Sequence, residues 1–403
     1  TATNTVIDTV TVGNSPNGVA VTPDGSRVYV ANQGGGTVSV IDTATNTVID
    51  TVTVGNSPNG VAVTPDGSRV YVANVGDGTV SVIETATNTV IDTVTVGANP
   101  QLLAVTPDGS RVYVTNAVDG TVSVIETATN TVIDTVTVGD SPVGVAVTPD
   151  GSRVYVANLG DDTVSVIDTA TNTVIDTVTV GNAPVGVAVT PDGSRVYVAN
   201  SVDNTVSVID TATNTVIDTV TVGANPQLLA VTPDGSRVYV ANLGDGTVSV
   251  IDTATNAVIT TITVGDQPIG VAIGTIEERI PTKLTLKVKK KEKDKYHPLG
   301  GNGLTLKATL TAEDEPLEAK TITFANAVQL CTETTNDQGK ATCKVPGKQG
   351  KDTCYTAAFA GDDTYKPSTA TVCKRHDDDK HDPWSALLDQ NDVHIQALLP
   401  TMP

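Results

Sequence analysis

The sequence predicts an all-β chain, on three observations. A 42-residue unit recurs without insertion or deletion, each unit holds four short segments of β-branched residues, and no helical period occurs. The unit TATNTVIDTVTVGNSPNGVAVTPDGSRVYVANQGGGTVSVID fills Thr1–Asp42. It starts again at Thr43, Thr85, Thr127, Thr169 and Thr211, and breaks off within a seventh copy that begins at Thr253. Units one and two differ only at Gln33/Val75, Gly35/Asp77 and Asp42/Glu84. A fixed period of this length signals a stack of like supersecondary units. Four antiparallel strands per unit describe the blade of a β-propeller; the coils of a β-solenoid are shorter and lack this meander.

Within the first unit, Thr5–Val12 alternates β-branched residues with Thr and Asp, as a strand does. Gly18–Thr22 is a second, small-residue strand, and Pro23-Asp24-Gly25 has the residue order of a type I turn. Arg27–Ala31 and Thr37–Asp42 are the remaining strands, joined by the loop Asn32–Gly36. Thr43–Asn46 then turns into the next unit.

Tyr113-Val114-Thr115-Asn116 reads YVTN, and the other five copies read YVAN, as at Tyr29–Asn32. With TPDGSRVYV before it and TVSVID after it, the unit resembles the YVTN-type propeller repeat of surface-layer and secreted proteins. The resemblance covers residues 1–274 and implies a ring of seven blades. It also implies that GVAVT lies innermost, at the channel, and TVIDTVTV outermost. Read so, the chain has seven inner and seven outer strands but six of each middle pair. Thr1–Val12 is an outer strand without its blade and Ile269–Ile273 an inner strand without its blade. The expectation is six complete blades and a partial seventh. Missing upstream residues, a six-blade closure with spare strands, or another segment filling the gap would each account for the count.

Variation among the copies falls in two places. One precedes the inner strand, as in NSPNGV at 14, ANPQLL at 98 and 224, and DQPIGV at 266. The other follows the second strand, as at Gln33–Gly36 and Leu159–Asp162. In an antiparallel meander both connections lie on one edge of the blade. The TPDGS and TATN turns, at the opposite edge, are uniform. The variable edge carries Asp77, Asp119, Asp140, Asp161, Asp162, Asp203, Asp245 and Asp266. Asp77, Asp119, Asp161, Asp162, Asp203 and Asp245 are the candidate partner-binding set, an acidic face for a cationic partner. The competing reading is that Asp-Gly and Asp-Asn supply turn conformations. The repeated Arg27, Arg69, Arg111, Arg153, Arg195 and Arg237 read as bidentate partners of Asp between strands or blades, and the repeated Tyr as inter-blade packing.

Composition excludes several functions. Residues 1–274 carry 26 Asp and Glu against 6 Arg and no Lys, whereas the rest of the chain is nearly neutral. An acidic body of this kind repels phosphate backbones and anionic lipid, so nucleic acid is not expected as a partner. No apolar run approaches the ~18 residues of a membrane span. The propeller has no His, Cys, Lys, Trp, Phe or Met. General acid–base chemistry draws mainly on His or a tuned Glu or Lys, and near-identical blades do not assemble an asymmetric catalytic group. No catalytic residue and no cofactor are therefore expected. No metal site is expected either, since no D-x-D-x-D-G loop or C-x2-C pair is present.

After Gly274 the composition shifts. Lys283–Lys295 alternates and then turns Lys-rich. Leu304–Ala312, Lys320–Ala325, Gln329–Glu333, Lys340–Pro346, Tyr355–Ala360 and Thr369–Cys373 read as strands of an antiparallel sandwich. The four cysteines, Cys331, Cys343, Cys354 and Cys373, all fall here, which suggests two disulfides and an oxidising compartment. The segment Leu330–Cys343 with Phe359–Asp362 and Tyr365–Ala370 resembles bacterial Ig-like domains of secreted and surface proteins. Four cysteines permit three pairings; beside that resemblance, the one favoured joins Cys331 to Cys343 across a hairpin and Cys354 to Cys373.

The domains expected are a propeller over 1–276, an Ig-like sandwich over 277–374 and a linker with an apolar tail over 375–403. Trp384, Leu387, Leu388, Val393, Ile395, Leu398 and Leu399 make that tail a candidate docking peptide. The chain starts at Thr1 without a leader, and reads as a processed or truncated product. The function expected is a non-catalytic extracellular or cell-surface protein that self-assembles into a filament, lattice or surface layer, with its tail adding as a strand to a neighbour. The alternative is a monomeric adhesion module that binds a surface protein or glycan through the variable acidic face.

Overall fold

The computed structural model describes residues 3–274, 282–290, 304–326, 329–345, 354–361, 365 and 368–373. The chain divides into two compact units after Ile276.

The first unit holds six four-stranded antiparallel sheets, each ordered as in the sequence from inner to outer strand. In the first blade the inner strand is Pro16–Val21, the second Arg27–Asn32, the third Thr37–Asp42 and the outer Thr47–Thr53. The inner strand starts two residues before the sequence pattern suggests, because Pro16 pairs with Asn32 across a register shift. The same four strands recur in every copy through Ala257–Thr263. Gly25 closes the first TPDGS turn at φ 69°, a left-handed conformation open to glycine, and its counterparts in the other five turns lie at φ 70–72°.

Each pair of neighbouring blades shares an apolar core. Tyr29, Val38, Val40 and Val52 of the first blade pack with Val70, Val72 and Ile83 of the second. The pattern repeats through Tyr197, Val206, Val208 and Val220 against Val238, Val240 and Ile251. Burying a Val or Ile side chain contributes about 1.5–3 kcal/mol, so these interfaces hold the ring together. The repeated Tyr residues are buried in them, as expected, and each hydroxyl reaches the TATN turn of the next blade. Tyr29, Tyr71, Tyr113, Tyr155 and Tyr197 donate to Asn88, Asn130, Asn172, Asn214 and Asn256 Oδ1 at 3.0–3.1 Å.

The arginines correct the sequence reading. Arg69 Nη1 donates to the Thr127 carbonyl at 2.6 Å, and Arg27, Arg111, Arg153 and Arg195 make the same bond to Thr85, Thr169, Thr211 and Thr253. The partner is a main-chain carbonyl of the next blade, not an Asp. The TATN turn leaves that carbonyl outside any ladder, and a guanidinium is the side chain long enough to reach it.

The Asn of the YVAN tetrapeptide is fully buried in all six blades. Asn32 Nδ2 donates to Thr37 Oγ1 and Ser39 Oγ of the third strand at 3.0 Å, and its Oδ1 accepts from the Gly13 amide at 3.0 Å. Asn158 Oδ1 accepts the Gly139 amide likewise at 3.2 Å, whereas the buried Oδ1 of Asn74, Asn116, Asn200 and Asn242 has no hydrogen-bond partner; each donor bond avoids a desolvation cost of about 1–3 kcal/mol. In the third blade alone, Thr115 replaces the Ala of the tetrapeptide, and its hydroxyl stands 2.8 Å from the Val143 carbonyl of the fourth blade.

The ring closes at the seventh position. Tyr239 OH donates to Asn4 Oδ1 at 2.7 Å, and Asn46 Nδ2 donates to Asp8 Oδ2 at 3.0 Å. Residues 3–12 therefore occupy the outer place between the sixth and first blades. The Leu228 amide donates to the Ile269 carbonyl at 3.2 Å, and a Cβ on Gly270 would stand 2.5 Å from the Asn17 carbonyl oxygen. Residues 269–274 therefore occupy the inner place. Neither segment is a strand, contrary to the sequence pattern at Thr5–Val12 and Ile269–Ile273. The middle pair that each would join in a ladder is not among residues 3–274. Six complete blades and a partial seventh is the architecture found.

The second unit is a sandwich of two sheets. In one, Leu304–Ala312 is flanked by Thr282–Lys290, Lys340–Val345 and the short Glu315–Pro316. The other runs Gln329–Thr334, Thr321–Ala325, Cys354–Phe359, Ser368–Cys373. Leu306, Leu310, Ile322, Phe324, Tyr355 and Phe359 fill the space between them. Disulfides join Cys331 to Cys343 and Cys354 to Cys373. The first spans the two sheets rather than a hairpin, because Gln329–Thr334 and Lys340–Val345 pair with different neighbours. The second ties paired residues of adjacent strands.

Candidate functional site

On the variable edge, the two connections of each blade zip together. The Gln33 amide donates to the Ser15 carbonyl and the Gly34 amide to the Asn14 carbonyl, at 3.0 and 3.1 Å. The acidic residues brace this pairing. Asp77 accepts from the Asn56 amide and from Asn56 Nδ2, both at 2.7 Å, and these bonds hold its carboxyl below the ordinary range. Asp203 accepts the equivalent two bonds from the Asn182 amide and Nδ2, at 2.8 and 2.7 Å. Asp119, Asp161 and Asp245 each accept one loop amide, from Ala98, Asp140 and Ala224 at 2.6–2.7 Å.

Asp162 differs, since it accepts the Ala183 amide of the fifth blade and itself sits at φ 56°. Four other blades place Gly at that position and the fifth blade places Asn204. Asp and Asn are the ordinary substitutes for Gly in left-handed conformations. The six candidate residues are thus spread over five blades; five are engaged by the loops of their own blade and Asp162 by the next. Among the described residues no group of three or more His, Cys, Asp or Glu comes together in a way suited to a metal ion.

The uniform edge carries a site that sequence reasoning passed over. Between neighbouring blades lie clefts of ≈ 330 to 520 Å³, the first lined by Asp24, Ser26, Arg27, Asp66 and Thr85 among others. Asp66 accepts Thr64 Oγ1 at 2.5 Å, the Ser68 amide at 3.0 Å and Ser68 Oγ at 2.8 Å. Those bonds lower its pKa from 3.8 to about 2, led by the Thr64 hydroxyl. Asp150, Asp192 and Asp234 are likewise held at about 2. The signal was present in the spacing T-x-D-x-S, which lets one carboxylate collect two hydroxyls and an amide. The Arg that lines each of these clefts is bonded to the next blade and the Asp to its own turn, so these are framed, polar recesses.

The third feature is the opening in the seventh blade, where sequence counting located it. Its walls are the facing sides of the first and sixth blades. Val28 and Val30 are half-buried, although their counterparts Val70 and Val72 are wholly buried. On the other wall Val248 is half-buried, and Tyr239 keeps 7 % of its surface where the other five Tyr keep none. Six glycines that follow an outer segment, from Gly13 to Gly223, would place a Cβ 2.5–2.7 Å from Cγ of a buried Asn. Gly265 has nothing within 4 Å.

The tail residues Trp384, Leu387, Leu388, Val393, Ile395, Leu398 and Leu399 lie outside the described residues. No helix among the described residues is long and apolar enough to cross a membrane.

Comparison with known proteins accords with this architecture. The model of the YNCE-like beta-propeller matches residues 61–150, 109–193 and 182–273, and that of the lactonase 7-bladed beta-propeller matches residues 1–92. The model of the bacterial Ig-like domain (group 3) matches residues 295–374. No curated protein matches the chain. Among solved structures, Kuenenia stuttgartiensis hydrazine synthase is similar, with a TM-score of 0.60 and 23% identity over 66% of this chain and 91% of that one. A functionally unknown protein from Desulfotomaculum acetoxidans DSM 771 is similar with a TM-score of 0.61 and 20% identity, over 69% and 94%. At such identities the likeness is one of fold. The repeat, the six blades and the family match together show that the chain belongs to the YNCE-like β-propeller family and carries a bacterial Ig-like domain after its propeller.

Proposed function

We propose that this chain is a non-catalytic extracellular or cell-surface structural protein that assembles with copies of itself. The observation that carries this reading is the apolar wall between the sixth and first blades, where Val28, Val30 and Val248 stay half-buried. Residues 3–12 and 269–274 beside it lie outside any ladder, and the interfaces between complete blades bury the equivalent side chains. Such an edge is a template for another chain. Two disulfides in the sandwich support an oxidising, extracellular setting. The engagement of the repeated Arg, Asp, Asn and Tyr in the frame of the ring supports a role without catalysis, and weighs against a lactonase-type reaction. Light scattering and electron microscopy of the purified full chain test the proposal, beside a chain ending at residue 382. Ordered polymers or sheets that disappear with the tail are expected; a full chain that stays monomeric at every concentration overturns it.

The exposed carboxylates of the variable edge favour a second reading, a monomeric adhesion module for a cationic surface protein or a glycan. Exchanging residues 14–18 and 33–36 for the loops of another blade then abolishes binding, and binding unchanged by the exchange removes this reading.

A further inference from the structure

We infer that the outer face of the lysine-bearing sheet of the sandwich is a docking surface, and that its occupant is the acidic outer rim of the propeller of a second copy of this chain. The inference rests on the assembly reading and names one contact through which copies meet.

In the sheet built on Leu304–Ala312, side chains alternate between core and solvent. Leu284, Leu286, Leu306, Leu310 and Ala341 are buried, whereas Lys283, Lys287, Lys307, Lys340 and Lys344 are exposed, with threonines between them. The strands Thr282–Lys290, Leu304–Ala312 and Lys340–Val345 contain no Asp or Glu. The one carboxylate of the sheet, Glu315, lies in the two-residue strand at its end. Register sets the lysines side by side. Lys287 stands directly opposite Lys307, and Lys344, paired with Thr305, is the diagonal neighbour of Lys307 on its other side. Like charges directly opposite one another destabilise a sheet, so the sandwich itself gains nothing from this pattern. Among the described residues none of the five lysines is in an ion pair, and Lys340 Nζ donates to Gln338 Oε1 at 2.8 Å. The face thus holds uncompensated positive charge on a chain whose net charge is -21.

The same chain carries the complement. Asp50, Asp92, Asp134, Asp176 and Asp218 are exposed on the outer strands of the first five blades, and no Lys or Arg occurs on any outer strand. Most of these carboxylates are fixed by the Asn of a neighbouring TATN turn. Asp92 Oδ2 accepts from Asn130 Nδ2 at 3.1 Å, and Asp134, Asp176 and Asp218 accept from Asn172, Asn214 and Asn256 at 2.9–3.0 Å. Carboxylates ordered in advance lose little freedom when a cation docks.

An exposed isoleucine precedes each of them, Ile49 in the first blade. It is the extra residue of a bulge, because each outer strand is irregular where it pairs, between Val40 and Ile41 in the first blade and at the same place in the others. Such bulges blunt an edge against pairing, so the rim meets a partner through side chains and not by adding a strand. A lysine suits the Ile-Asp pair, its stem covering the isoleucine and its ammonium reaching the carboxylate. Two propellers, both strongly acidic, repel each other, whereas the lysine face attracts the rim. Copies that assemble therefore meet propeller to sandwich.

Sedimentation velocity of the full-length chain tests the inference, beside two triple variants. One carries Lys287→Glu, Lys307→Glu and Lys344→Glu, the other Asp92→Lys, Asp134→Lys and Asp176→Lys. All these positions are exposed, and thermal melting checks that each variant keeps its unfolding transitions. Association of the unaltered chain is expected to weaken at least about tenfold as salt rises from about 0.01 M to about 1 M, over which the screening length falls from about 30 Å to about 3 Å. Each variant alone is expected to stay monomeric where the unaltered chain associates. An equimolar mixture of the two is expected to associate again, because the reversed face meets the reversed rim. Association that ignores salt, variants that assemble like the unaltered chain, or a mixture that stays monomeric overturns the inference and leaves self-assembly standing. An unaltered chain that is monomeric at every concentration overturns both. Binding of polyglutamate by those lysines then assigns the face to a foreign polyanion, and a radius of gyration that grows in both variants assigns it to the chain's own propeller.

Discussion

The Tyr239 hydroxyl donates to Asn4 Oδ1 at 2.7 Å, and with that bond a linear array of repeats becomes a ring. The same pair occurs five times between consecutive blades, so closure uses no new chemistry. Burial raises the pKa of the five interior Tyr hydroxyls, which keeps each of them a donor at neutral pH. Tyr113→Phe leaves Asn172 Oδ1 without this donor and should cost about 1–2 kcal/mol in urea denaturation. Tyr239→Phe should cost a similar amount, and a value near zero would show that the closing contact bears no load.

The carboxylates of the TPDGS turns set the acid limit. Their folded pKa lies below the unfolded value, so the stability they contribute is whole above about pH 4 and is lost as pH falls through about 2. The melting temperature should be level above pH 5 and fall steeply between pH 4 and 2. Replacing Asp66, Asp150, Asp192 and Asp234 together by Asn should flatten that fall; an unchanged slope would assign it to other groups.

Two glycines at equivalent sequence positions should respond in opposite ways. A Cβ on Gly223 stands 2.6 Å from Asn242 Cγ, so Gly223→Ala should destabilise by about 1–3 kcal/mol through overpacking. Gly265→Ala meets nothing within 4 Å and should be neutral in the same chemical denaturation. Equal costs at both would mean that the gap is filled in the isolated protein.

Reduction should separate the two units. The propeller has no cysteine, whereas the disulfides close sandwich loops of 12 and 19 residues, worth about 3 kcal/mol each. Calorimetry with and without reductant should show one transition falling and one unmoved. A propeller transition that falls as well would show the units to be energetically coupled.

Most of the fold was legible because the unit repeats. Six copies of one pattern fix the strands and their order without any contact information, while the inner and outer sides, and with them the missing middle pair, came from the resemblance to the YVTN-type repeat. What escaped was chemistry that exists only between units. The Arg27 partner is a carbonyl of the next blade, and nothing in the local pattern distinguishes it from an Asp. The Asn of YVAN was visible as a motif, yet its task needs Gly13 and Ser39 brought together by the blade. The acidic loops were located on the right edge, but the bond between Asp77 and Asn56 depends on how two loops zip. The sheet-spanning path of Cys331–Cys343 depended likewise on which strands pair.

The bulged outer strand has a consequence for how such arrays grow. Because the bulge lies within the repeat, each duplicated copy of the coding unit arrives with its rim already protected. Lengthening the array by whole units therefore adds no sticky edge. A change of half a unit does the opposite, because it exposes a place for two strands and leaves Val28 and Val248 at its sides.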